Sequence, residues 1–173
     1  MPALKDGIFA NSITYICEHD EHGAMGIVIN HPLDVSLDEI FHHLDIEDIS
    51  SAHQDRILAG GPVHMNRGFI LHRRTDDEWD STIHISDQVD LTTSQDILTA
   101  IAHDKGPSDS IVALGYASWE KGQLESELAD NTWLTIPADS DIIFNTPIEQ
   151  RAAAAVAKMG VDLALISPQV GHA

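Results

Sequence analysis

The stretch YICEHDEHGAMGIVINHP, residues 15–32, decides the fold class. ITYICEH at 13–19 is rich in β-branched and aromatic residues, and AMGIVIN at 24–30 repeats that character. The acidic, glycine-ended DEHG lies between them, so the stretch predicts a β-hairpin with its turn within 20–23. Pro32 is expected to end the second strand. The same stretch holds the chain's only cysteine, Cys17. On a regular strand Tyr15, Cys17 and His19 point to one face. Cys17 and His19 are therefore candidates for a thiol nucleophile beside an imidazole, which would lower the thiol pKa. The structural alternative is a buried cysteine that behaves as a small hydrophobe. HDEH, 19–22, offers imidazoles and carboxylates on a turn, without the helical HExxH spacing. No Cys/His set has zinc spacing, so no metal and no cofactor are expected.

Downstream, Ser36-Leu37-Asp38-Glu39 is a capping box. It starts a short helix with Leu37, Ile40, Phe41 and Leu44 on one face. Residues 45–55 read as a polar surface loop. RILA, 56–59, is a strand broken by Gly60-Gly61-Pro62. GFILHR, 68–73, and STIHIS, 81–86, are expected to form a hairpin. Thr93 is expected to cap a helix with Asp96 at its third position and Ile97, Leu98 and Ile101 inward. SIVALGY, 110–116, is a continuous apolar run and hence a central strand. A helix follows near 121–129. WLTIP, 133–137, and DIIF, 141–144, are read as strands. A last long helix starts at Thr146-Pro147 and ends at Gly160, and LALIS, 163–167, is a final apolar segment. Clustered strands with irregularly interspersed helices argue α+β rather than a βαβ array.

The 173 residues suit one domain, 1–173, with 43% hydrophobic residues. Mean hydropathy is −0.10, as expected for a soluble protein. No apolar run reaches the roughly 20 residues of a membrane span. The N-terminus lacks the basic and apolar regions of a signal peptide. A single cysteine forms no internal disulfide, so an intracellular, cytoplasmic location is the default. Nine Lys and Arg face 28 Asp and Glu, a net charge of −19. Such a surface repels phosphate backbones and anionic lipid, so neither direct nucleic-acid binding nor membrane association is expected.

Gly60 and Gly61 have the composition to present backbone N–H groups to an anion, or simply to make a tight turn. Gly115 with Tyr116 and Trp119 has the composition of a ligand-cleft floor, or of a bent strand end with packed aromatics. Asn30 ends the hairpin, where it hydrogen-bonds backbone or reaches a ligand. Arg67 and Arg73 stand out because cations are scarce. No G-x-S-x-G elbow is present.

Four segments, YICEHDEHGAMGIVINHP (15–32), LAGGPVHMNRGFILH (58–72), ALGYASWEKGQLESEL (113–128) and NTWLTIPAD (131–139), resemble the AlgH/YqgE family, and the ending ISPQVGHA fits it too. The resemblance implies an α+β fold: a bifurcated mixed β-sheet with a small barrel-like part, surrounded by helices. It implies a cytosolic bacterial protein with no settled reaction, one branch of the family carrying a genetic label tied to transcriptional regulation. Three positions depart from the pattern. Relatives carry an apolar segment resembling HFLIA before Met-Pro. Either that strand is missing here or the true start lies upstream. If it is missing, a sheet edge has to be covered by self-association, giving a homo-oligomer, or by a neighbouring loop. The usual Arg-Trp pair is Arg151-Ala152, and Ser118 replaces the glycine of GYAGW, which argues against an inherited serine nucleophile. The leading expectation is a non-enzymatic regulatory protein that binds a protein or small-molecule ligand. The alternative is an enzyme using Cys17 with His19.

Overall fold

The computed structural model describes residues 11–50 and 53–160. The opening hairpin is β1 (Thr14–Asp20) against β2 (Gly23–Val28), antiparallel, with its turn at Glu21-His22. Pro32 does not end a strand; it begins β3 (Pro32–Ser36), a position where its missing N–H costs no ladder bond. Helix α1 (Leu37–His43) follows, its entry fixed by the Ser36 N–H donating to the Glu39 carboxylate at 2.8 Å. Leu37 and Phe41 are its buried face.

Next come β4 (Arg56–Ala59), β5 (Val63–Arg73), β6 (Thr82–His84) and β7 (Val89–Thr92). The expected hairpin between 68–73 and 81–86 does not form. Strand β7 lies between them, pairing β5 on one side and β6 on the other. Its sequence, VDLT, looks half polar, yet all four residues are buried. Asp90 is tolerated there because it accepts from or pairs with the His84 ring at 2.9 Å.

Helix α2 (Asp96–Ala102) buries Ile97, Leu98 and Ile101 as expected, but it starts later than Thr93. The Asp96 carboxylate is engaged by the Ser94 hydroxyl at 2.5 Å, which draws the helix start past Thr93. Strand β8 (Ser110–Glu120) is longer than the apolar run, since Ala117 and Trp119 continue its buried face. Helix α3 (Gln123–Ala129) follows. WLTIP joins no ladder. DIIF is not a strand but helix α4 (Ser140–Phe144), set by the Asp139 side chain accepting from the Asp141 N–H at 2.8 Å. The last helix begins as a 3₁₀ turn at Ile148–Gln150 and continues as α5 (Arg151–Lys158). The expected segment 163–167 lies outside the described residues.

The main sheet runs β1-β2-β8-β5-β7-β6 and curls into a half-barrel, with β3 and β4 as a branch. Strand β8 is the fork. Ala113 and Leu114 pair β4 in parallel, whereas Ala117–Glu120 pair β2 antiparallel. Three glycines make the change of neighbour possible. A Cβ on Gly60 would lie 2.3 Å from the Gly115 carbonyl, and one on Gly61 2.1 Å from Tyr116 backbone. Gly115 itself holds φ +76°. One core, with Ile27, Ile29, Leu58 and Leu71, fills one side of the sheet. A second, with Phe41, Ile57, Ile70 and Ile97, lies under α1 and α2. A smaller cluster of Ala24, Ala117, Trp119 and Leu124 lies under α3.

Candidate functional site

Cys17 and His19 are separated by a defect in β1. The register pairs Ile16 with Gly26 and Glu18 with Met25, so Cys17 is an extra residue in a β-bulge. The bulge resets the alternation. Tyr15 and Cys17 enter the first core, while His19, opposite Ala24, lies on the α3 side with Ile16. The His19 Nε2 meets the Glu125 carboxylate of α3 at 2.5 Å. The Cys17 thiol is buried and donates to the Tyr15 carbonyl at 3.6 Å. Burial first, and then the Glu18 charge, push its pKa up to about 12. At pH 7 roughly one thiol in 10⁵ is then ionised, the opposite of an activated nucleophile.

The other candidates serve the frame. Gly60, Gly61 and Gly115 spend their backbone on the fork, where the Gly60 N–H donates to Leu114 and its carbonyl accepts from Val28, both at 2.8 Å. The Asn30 amide accepts from the Ile13 N–H at 2.9 Å and donates to the Asn11 carbonyl at 3.0 Å, so it positions the chain entering β1. Tyr116 packs edge-on against Phe69. Arg73 pairs with Asp109 at 2.5 Å and lies over the Phe144 ring. Arg67 lies over Phe69. Ser118 is exposed on β8. Among the described residues, no three His, Cys, Asp or Glu side chains gather as a metal-binding group.

Among the candidates, Trp119 borders a substantial cavity. An apolar groove of about 540 Å³ runs along the outer edge of β1. One wall is β1 itself with Ile13, Thr14 and Ile16; the other is segment 134–138, which joins no ladder. Trp119, Leu124, Leu128 and Trp133 close one end, and Ile142, Ala152, Val156 and Met159 line the remainder. Glu127 pins the outer wall, accepting both indole N–H groups, from Trp133 at 2.7 Å and Trp119 at 2.9 Å. Burial pushes the Glu127 carboxyl up, but the hydrogen bonds from Trp133, Trp119 and Gln123 outweigh it and hold its pKa below the ordinary value. The groove escaped the sequence reading because WLTIP resembles a paired strand. Its signal was an apolar run with no strand left to pair it.

A second depression, about 840 Å³ and more polar, lies between β4, α4 and the turn before β8. Arg151 is buried at its base and donates to the carbonyls of Ile29 at 2.5 Å and Thr146 at 3.0 Å. Those bonds tie α5 to the hairpin and make its role structural.

The bifurcated sheet and the glycine fork define an AlgH-type fold. The chain matches the AlgH-like family model, DUF179, over residues 1–164, and it belongs to that family. It is 54% identical over its whole length to a UPF0301 protein of Thioalkalivibrio sulfidiphilus, covering 92% of that protein. It is 52% identical to a UPF0301 protein of Saccharophagus degradans, covering 85% of it. The solution structure of the AlgH protein from Pseudomonas aeruginosa superposes with a TM-score of 0.80 at 46% identity, covering all of this chain and 92% of that one. A Corynebacterium diphtheriae protein shares the fold at 19% identity and a TM-score of 0.69, with 95% of this chain and 84% of that one covered.

Proposed function

We propose that this chain is a non-enzymatic binding protein whose ligand occupies the groove along β1, and that any part it takes in transcription is indirect. The observation that carries this reading is the groove itself: about 540 Å³, predominantly apolar, and walled by groups held in place through Glu127. Its volume is that of a site for a small molecule or a short peptide. The thiol-enzyme alternative finds no support in a buried Cys17 with His19 on the other face, paired with Glu125.

The test is a titration with an environment-sensitive apolar fluorophore, read also through Trp119 and Trp133. Saturable binding at one site is expected. Ala152→Trp, the residue the family pattern carries here, should fill the groove and abolish binding while the fold persists. Unchanged binding in that variant would refute the site. Rapid single-site alkylation of the native thiol would instead favour the enzyme reading.

A further inference from the structure

At the β6 end of the sheet, away from the groove along β1, geometry fixes the proton order of a chain of polar groups. His72 of β5 is wholly buried, with Nδ1 3.0 Å from the Arg73 carbonyl and Nε2 2.8 Å from the Thr92 hydroxyl of β7. A carbonyl only accepts, so Nδ1 carries the ring proton and Nε2 is the acceptor. The Thr92 hydroxyl therefore donates to Nε2. Its oxygen takes the proton of the Thr82 hydroxyl of β6, 2.9 Å away. Thr82 has no second proton for the Trp79 carbonyl, and that contact stays long at 3.5 Å. The Trp79 ring packs edge-on against His72, with centroids 5.1 Å apart.

We propose that His72, Thr92 and Thr82 form a relay that reverses when His72 gains a proton and draws the Trp79 carbonyl onto the Thr82 hydroxyl. With Nε2 protonated, the ring donates to Thr92, Thr92 donates to Thr82, and Thr82 donates to Trp79. One proton enters at His72 and each hydroxyl only turns. To accept well, the Trp79 carbonyl closes from 3.5 Å to about 2.8 Å. Trp79 packs against the core under α1 and α2, and the Asp80 N–H donates at 2.8 Å to Asp96, the first residue of α2. The change at His72 thus reaches α2. Asp90 of β7, paired with His72 in the ladder, favours the proton; His84 of β6, 2.9 Å from Asp90, opposes it. Ser110 of β8, the other ladder partner, is uncharged. The Arg73 guanidinium is turned to Asp109, Asp96 is engaged by Ser94, and Glu78 and Asp80 are exposed.

The test is an NMR titration of the full chain from pH 8 downward, following the His72 ring nitrogens and the Trp79 carbonyl carbon. The neutral ring should show its proton on Nδ1, and the Trp79 carbonyl should shift with the same midpoint as His72. Thr82→Val does not touch His72, yet it removes the acceptor that the reversed Thr92 hydroxyl needs. It should lower the His72 midpoint by about half a pH unit or more, roughly a threefold loss of proton affinity. Thr82→Ser should restore the parent midpoint. A proton on Nε2 in the neutral ring would overturn the relay. So would a Trp79 carbonyl that does not follow His72, or a His72 that takes up no proton until the fold is lost. An unchanged His72 midpoint in folded Thr82→Val would reduce the hydroxyls to structural partners. If Thr82→Val does not fold, the Trp79 carbonyl of the parent chain decides the question.

Discussion

Trp119 and Trp133 donate their indole N–H groups to the same oxygen of Glu127, with their rings edge to face at 5.8 Å. One carboxylate thus couples the end of β8 to the segment that walls the groove. Glu127→Ala should cost about 1–3 kcal/mol, because it strands two partly buried donors. The Glu127 pKa is lowered, so this stabilisation is present above the ordinary glutamate pKa and is lost as pH falls through the folded value. Urea unfolding should therefore show a smaller gap between the parent and the variant at pH 4 than at pH 7.

Gly115→Ala should be among the most damaging single-methyl changes in the chain. The added Cβ would lie 2.3 Å from the Gly61 carbonyl at φ +76°. Gly122 has the same φ with nothing within 4 Å, so Gly122→Ala isolates the backbone strain. The expected losses are about 1 kcal/mol for Gly122→Ala and about 3 kcal/mol or more for Gly115→Ala, measured by urea titration.

Cys17 should react with iodoacetamide at pH 8 at least about a thousandfold more slowly than a free thiol. Its folded pKa, about 12, exceeds the ordinary value of 9.0, so its contribution to stability is complete below pH 9 and declines as pH rises toward 12. Cys17→Ala should cost about 1 kcal/mol and flatten that alkaline decline.

His72 should make the protein sensitive to mild acid. It is fully buried, with Nδ1–H donating to the Arg73 carbonyl at 3.0 Å and Nε2 accepting from the Thr92 hydroxyl at 2.8 Å. Trp79 packs edge-on against the ring. Burial lowers its pKa, partly offset by the Arg73 carbonyl and Asp90. The unfolded chain therefore takes up a proton near pH 6.5 that the folded one refuses, and stability falls as pH drops below that value. Chemical denaturation of His72→Asn from pH 7.5 to 5 should show a shallower slope than the parent.

The hairpin, α1 with its capping box and the buried face of α2 were legible because local rules govern them. The 15–32 stretch carries its turn and its pattern in adjacent residues. Strand β7 was hidden because Asp90 reads as solvent-facing until His84, six residues earlier, is known to sit opposite it. Helix α4 was misread for the converse reason: its apolar triplet looks like a strand, and the deciding cap is Asp139, outside the triplet. At the candidate site, the alternation that put Cys17 beside His19 holds only for a regular ladder. The bulge at Cys17 depends on how β2 pairs, which residue type at 17 does not specify. Trp119 was found from its own segment, but its groove is assembled from residues 11–16, 133–139 and 152–159, whose proximity is a property of topology.

The fork at β8 also constrains the order in which a nascent chain can mature. The β1–β2 hairpin, the β3–β4 pair and the β5–β7–β6 ladder all precede Ser110 in sequence, and each joins the others only through β8 or its immediate neighbours. Until that strand clears the ribosome, the strands bearing Ile27, Leu58 and Ile70 lack their common pairing partner. Assembly therefore falls late in synthesis and in one step, the behaviour of a sheet dominated by distant pairings. A chain stalled before Ser110 carries three ladders without the one strand that pairs with all of them.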